Sequence, residues 1–386
     1  MNTNPNELKS NVVGTETPSC DKEILDFLKR QMMPGDIQLF LDRSPSFFDS
    51  LEVEGQRVKV MSIRHHQTNE LMCIGCIGEK NYWINGNQRE EKIGYLSSLR
   101  IDRKFQSSKL LFRTYEFLQN EHSTNHPDRV YLSTILEENV KAKKIFTSKR
   151  PGLPDYQDLG LLDTSFFPVK KQIWTSHFLQ QQGPDSLEIK SGTSKDLQQL
   201  ISFWKEQSKK RQFVPIYTEQ DFTNGSGILR DFKIEDMILG WRNGKIVGCL
   251  GLWDQSAYRR WMVSAYSKKI QITKGIYNFF APTLNRPKLP DLNEAFPYRI
   301  LSCIAIDQDD QKIFESLLHA LWKKEQKNDL VISIGFHEKD PLLSTILKHS
   351  KQKLFSRLYL TSWPDEKSVK KELDLKLVPY VEFGSL

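Results

Sequence analysis

Apolar positions recur along this chain in two successive series of the same kind. In the first series, Ile24, Phe27 and Leu28 share a helical face that stops at Met33-Pro34-Gly35, and LMCIGCIG (71–78) reads as a buried strand. The segment Leu96-Ser97-Ser98-Leu99-Arg100-Ile101-Asp102 follows as a second strand. Leu110, Leu111, Thr114, Tyr115 and Leu118 then make a helix face, RVYLSTI (129–135) alternates as a strand, and Asn139, Ala142 and Phe146 lie at i, i+3 and i+7. The second series opens with a helix from Ser194 carrying Leu197, Leu200, Ile201 and Trp204 on one face. Asn243-Gly244 between apolar runs predicts a two-residue hairpin into KIVGCLGLW (245–253). Leu301-Ser302-Cys303-Ile304-Ala305-Ile306-Asp307 matches the segment from Leu96 at an offset of 205 residues. A helix with Phe314, Leu317, Leu318 and Leu321, the strand LVISIGF (330–336) and a helix opened by Asp340-Pro341 complete it.

Two strand–helix–strand–helix units predict an α/β (mixed α+β) fold built as two tandem domains, each a mixed twisted sheet flanked by helices. The expected division is a flexible leader over 1–20, a first domain over 21–180 and a second over 187–386, because 168–186 holds turn formers and no sustained period. The proline-rich stretch 281–299 reads as a long connection into the second matched strand.

A length of 386 residues leaves room for two cores, and no apolar run approaches the length of a membrane span. The polar start lacks a secretory design, and five scattered cysteines suit a reducing compartment, so a cytoplasmic protein without membrane attachment is expected. Cys73 and Cys76 form a CxxC within a strand, where residues three apart point to opposite faces and do not share a metal. The net charge of +7 suits a small anionic ligand; its basic runs lack an RNA-reading motif, which argues against nucleic acid.

With these elements in place, the chain resembles the GNAT superfamily of acyl-CoA-dependent N-acyltransferases, in its tandem form. The resemblance is carried by 33–48, by 81–105 with its strand-to-helix passage, by ENVKAKKIF (138–146), and by GKIVGCLGLW, RILSCIAIDQDD and LVPYVEFGSL in the second half. It implies acetyl-CoA as cosubstrate, held where two parallel strands splay apart, and acyl transfer to a primary amine on a small molecule or peptide. Its pyrophosphate would rest on the free amides and positive dipole end of the next helix. Carried over, the cofactor-binding set is Leu99, Arg100, Ile101, Gln106, Ser107, Ser108, Lys109, Leu110, Leu111 and Asn139. Lys109 and Leu111 stand where the family signature has small residues, which keeps open a second reading, a degenerate pair that binds a ligand or partner without catalysis. The second half places Asp307, Asp309 and Asp310 at the matching turn, so charge favours the first half for any diphosphate.

Acyl transfer needs donors for a developing oxyanion and an acid for the leaving thiolate. Where many relatives have a tyrosine seven residues after the asparagine, this chain has Phe146, read here as packing. The remaining candidates are Glu137, Glu138, Tyr95 and Tyr156. His65, His66 and His337 form no spaced metal or triad set.

Overall fold

A computed structural model describes residues 11–386 except 34, 106–107, 127, 170–185, 285, 327–329, 349, 351 and 364–368; the side chains of Ser108 and Lys109 are also outside the description. The strands are β1 Val12–Glu16, β2 Ile37–Asp42, β3 Arg57–Arg64, β4 Leu71–Ile84, β5 Arg89–Ile101, β6 Tyr131–Leu136, β7 Asp155–Pro168, β8 Glu188–Ser191, β9 Arg211–Gln212 and β10 Val214–Pro215. They continue with β11 Met237–Arg242, β12 Lys245–Trp253, β13 Arg260–Tyr266, β14 Tyr298–Ile306, β15 Val331–His337, β16 Gln352–Ser362 and β17 Val378–Pro379. The helices are α1 Asp21–Lys29, α2 Phe47–Ser50, α3 Ser108–Asn125, α4 Val140–Phe146, α5 Leu197–Gln207, α6 Glu219–Thr223, α7 Lys268–Phe280, α8 Gln311–Glu325 and α9 Leu343–Leu347.

Local sequence explains most boundaries. Thr193 and Asp196 form a capping box ahead of α5, whose Leu197, Leu200 and Trp204 are buried. Asn243 and Gly244 both take positive φ, +51° and +71°, as the tight turn between β11 and β12 requires. Asp340 accepts from the Leu342 amide at 2.9 Å and so opens the turn leading into α9.

The order of the large sheet is β1-β3-β4-β5-β6-β16-β7-β15-β14-β12-β11-β8, with β10 added to β4. Read inward from its ends, it is the same series twice, meeting at β16 and β7. The halves have exchanged their last strands: β16 pairs β6 of the first half, β7 pairs β15 of the second, and the two run antiparallel to each other along almost their whole length. The two expected mixed sheets are thus joined through the β16–β7 ladder into a single 13-stranded mixed sheet, in which neither half leaves an open edge at the join. A ribbon of β2 and β13 also crosses between the halves.

Part of the stretch expected as a flexible leader, 1–20, is structured. Val12–Glu16 pairs with β3, and Glu16 accepts from Ser62 Oγ at 2.5 Å and Arg64 Nε at 2.7 Å, which fixes this edge strand. Likewise, sequence periodicity did not foresee α7 ahead of the proline-rich loop. Among the described residues no helix is long and apolar enough to cross a membrane.

Candidate functional site

The two matched segments form the same unusual backbone. Ser98 in β5 has φ +53°, and Cys303 in β14, 205 positions on, has φ +51°. In β5 the register with β4 passes from Ser97 opposite Cys76 to Arg100 opposite Ile74, leaving Ser98 and Leu99 as a bulge. In β14 the register with β12 passes from Ser302 opposite Gly251 to Ala305 opposite Cys249, leaving Cys303 and Ile304. A bulge frees amides from the ladder and bends the strand. Just before each bulge the strand has a short parallel partner: Gly94–Leu96 pair with Tyr131–Ser133, and Tyr298–Ile300 pair with Val331–Ser333. Beyond these three pairs the strands diverge, so each half contains a splay.

In the second half the splay is occupied by the chain's own residues 379–384. The Cys303 amide donates to Glu382 Oε2 at 2.9 Å, and the Ile304 amide donates to Tyr380 Oη at 3.3 Å. Tyr217 and Tyr380 also donate to Glu382 Oε2, at 3.3 and 2.9 Å. Phe383 lies so close to Gly335 that a Cβ there would fall 2.1 Å from the ring. A cleft remains beside it, lined in part by Arg211, Asp309, His337 and Asp340. The acids in and next to it are engaged: Arg211 binds Asp309 at 2.8 Å and Asp340 at 3.3 Å in the lining, and at the adjoining turn Gln207 reaches Asp307 at 3.3 Å and Asp310 caps α8 through the Lys312 amide at 2.8 Å. In the first half, among the described residues, no side chain accepts from the Ser98 or Leu99 amide.

The sheet face opposite α3 carries a charged group beside the first bulge. Arg43 and Glu54, 3% and 1% exposed, form an ion pair, and Ser97 Oγ donates to the other Glu54 oxygen. Burial would raise the Glu54 carboxyl, but Arg43 and Arg259 outweigh it and hold the group below the usual carboxylate range. Arg259 is buried and donates to the Gly384 carbonyl at 3.3 Å and to that of Leu386. Arg100 stays accessible, and burial of its surroundings together with the Arg43 charge pushes its pKa down. Among the described residues Arg100 has no carboxylate partner, and Arg43 Nη1 is buried with no acceptor. Arg43 and Arg259 at one carboxylate, with Arg100 near Arg43, leave an excess of positive charge suited to an oxyanion.

Tyr95 belongs to this face. Its phenol bonds Thr134 Oγ1 at 2.9 Å, and burial pushes it up to about 12, so it stays protonated and able to donate. Tyr156 lies on the other face, bonded to Tyr115 Oη at 2.6 Å and stacked on Phe146 at 5.2 Å; burial raises it to about 12 as well. Phe146 is part of that aromatic packing, with Tyr115 at 5.7 Å. The Lys143 hydrogen bond, helped by Arg357 at 2.8 Å, holds Glu137 below the ordinary carboxylate range, making it a poor base. Glu138 is exposed.

Of the carried-over cofactor set, Leu99 and Ile101 face α3, whereas Arg100 faces Glu54's side. Leu110 and Leu111 are buried in the core beneath α3. Gln106 and Ser107 lie outside the described residues, and Ser108 and Lys109 supply the start of α3. Asn139 precedes α4 and spends its side-chain oxygen on the Ala142 amide at 3.1 Å. Cys73 and Cys76 pack in different clusters, and burial raises both thiols, Cys73 to about 12. Buried His337 has a lowered pKa from burial and donates to the Leu159 carbonyl at 2.8 Å, a packing role. No three potential metal ligands cluster among the described residues. Arg43, Glu54, Arg259 and Glu382 were missed, since loop and tail charges carry no periodic mark of burial.

This duplicated sheet, with a bulged strand beside a diverging parallel neighbour in each half, is the tandem GNAT fold. Solved structures with that fold include Saccharomyces cerevisiae N-myristoyltransferase with bound myristoyl-CoA, at TM-score 0.54 and 12% identity over 93% of this chain and 84% of that one. A second is the GCN5-related glucosamine N-acetyltransferase region of a fungal multi-domain GH3 β-N-acetylglucosaminidase, at TM-score 0.58 and 12% identity over 91% of this chain and 38% of that one. No family model and no curated protein matches the sequence.

Proposed function

We propose that the protein is an acyl-CoA-dependent N-acyltransferase whose first half is the catalytic half. The observation that carries this is the pair of bulge amides, Ser98 and Leu99, without a side-chain acceptor, while their second-half counterparts are taken by Glu382 and Tyr380. Acyl-CoA would supply an activated thioester in the β5–β6 splay, with acetyl as the acyl group expected from the sequence and myristoyl as the one bound in the yeast structure. Ser98 and Leu99 amides would receive the charge developing on the carbonyl oxygen, and the amides opening α3 the pyrophosphate. Tyr95 is the acid in this reading, since it shares the sheet face of the Arg43–Glu54 pair, whereas Tyr156 packs against Phe146 on the other face. Arg100 and Arg43 would hold an anionic group on the acceptor, so the acceptor is an amine that also bears a carboxylate or phosphate. The five unpaired cysteines support a reducing, cytoplasmic setting.

The second reading, a binding protein without turnover, draws on Leu111, whose burial leaves no small residue at that turn. Calorimetric titration with acetyl-CoA and myristoyl-CoA, followed by an amine panel, separates the two. Turnover that falls about a hundredfold in Tyr95→Phe with CoA affinity unchanged supports the enzyme. Binding without turnover across the panel supports the second reading, and no binding of either thioester overturns the enzyme.

A further inference from the structure

Helix α7 and the loop behind it bury little of their own apolar surface. Of the ten large apolar side chains exposed among the described residues, six fall here: Ile272 (78%), Ile276 (67%), Phe279 (77%), Phe280 (49%), Leu284 and Leu292. At 100° per residue, Ile272, Ile276, Phe279 and Phe280 lie within one stripe about 100° wide. No residue of α7 is buried. Such a concentration exceeds the scattered apolar exposure that a soluble surface normally shows.

The platform is nevertheless built, not loose. On the helix's other side Asn278 donates to the Leu289 carbonyl at 2.9 Å and accepts from the Leu289 amide at 2.8 Å, while Tyr277 donates to the Pro287 carbonyl at 3.2 Å. Lys274 pairs with Asp291 on that side. These bonds turn the polar positions inward toward the loop and fix the apolar stripe outward.

Charge selects the occupant. From 268 to 290 the sequence holds five basic residues and no acidic one. Lys268, Lys269, Arg286 and Lys288 are exposed, and among the described residues none has an ion-pair partner. Lys268 and Lys269 lie at the N-terminal end of the apolar stripe, placed to let their stems lie along it while their ammonium groups reach an aqueous boundary. A second copy of this face would bring like charges together, which disfavours self-association through it. An apolar stripe flanked by unpaired cations matches the interface of an anionic bilayer.

We propose that α7 and its loop dock the protein onto an anionic phospholipid surface, with the helix lying in the interface plane. The platform hangs from β13, whose foot begins beside Arg259, about 20 Å along the strand from α7. Docking would thus hold the arginine-lined face near the lipid headgroups. The inference rests on the exposed stripe and its charge, not on the catalytic reading.

The test is flotation of the full-length protein with vesicles of phosphatidylcholine alone and of phosphatidylcholine with 30% phosphatidylglycerol. Binding to the anionic vesicles, weakened at least tenfold by Ile276→Glu with Phe279→Glu and also by Lys268→Glu with Lys269→Glu, is the expected result. No flotation with either composition overturns the proposal, as does flotation indifferent to both pairs of substitutions. A concentration-dependent dimer abolished by Ile276→Glu with Phe279→Glu, without vesicle binding, would reassign the surface to a protein contact and also overturn it. All four positions are exposed, so the variants retain the fold, as circular dichroism would verify.

Discussion

The first and second splays start from the same backbone and end in different states. Each has a positive-φ residue in its bulge and a parallel neighbour released after three pairs. At Cys303 and Ile304 a carboxylate and a phenol from the final segment meet the free amides; at Ser98 and Leu99 no side chain does. The backbone is the same in both halves, and a few residues of 379–384 make the second splay a structural joint. Lys80, fully buried in β4, ties that joint to the first half by donating to the Val53 carbonyl at 3.0 Å and to Ser385 Oγ at 2.9 Å.

The difference can be broken most strongly at Glu382. Glu382→Leu removes the acceptor of the Cys303 amide and of two buried phenols, so a loss of about 3 kcal/mol in urea unfolding is expected. Unchanged stability would mean that the tail does not seal the second splay.

A smaller effect follows from Lys80, whose pKa burial lowers to about 8. An unfolded lysine titrates near ~10.4, so between these values the unfolded chain binds more protons and native stability rises with pH. The penalty of holding Lys80 charged is fully present below about pH 8 and is relieved toward ~10.4. Lys80→Met removes this dependence. The stability of the natural protein should therefore gain on that of the variant between pH 7.5 and 9.5 in paired urea titrations; a constant difference would show that Lys80 is not desolvated.

The smallest expected change is at Phe146. Phe146→Leu should lose under about 1.5 kcal/mol and leave any turnover intact, because the ring only packs on Tyr115 and Tyr156. A hundredfold loss of turnover at unchanged stability would make α4 part of the catalytic apparatus.

Periodicity reached the elements but not the pairing between halves. The 205-residue match located both bulged strands, and Asn243-Gly244 and Ser194 marked a turn and a helix start, because these are local signals. The strand exchange at β7 and β16 was invisible, since a strand's own pattern is the same whichever neighbour completes its ladder. Around the first bulge, Tyr95 was a sequence candidate alongside Tyr156, whereas Glu54 sits in the polar run LEVEGQR and reveals its burial only when Arg43 folds over it. Asn139 was read as part of a helix face with Ala142 and Phe146; it is instead the N-cap of that helix, committed to the Ala142 amide.

Hydrogen exchange of the whole chain with and without acyl-CoA tests the central claim most directly, because it reads both splays in one sample. Protection on adding acetyl-CoA or myristoyl-CoA should appear at 96–101 and in the first turn of α3, with 301–306 unchanged. Protection confined to 301–306, or spread equally over both segments, would contradict the assignment of the acyl site to the first half.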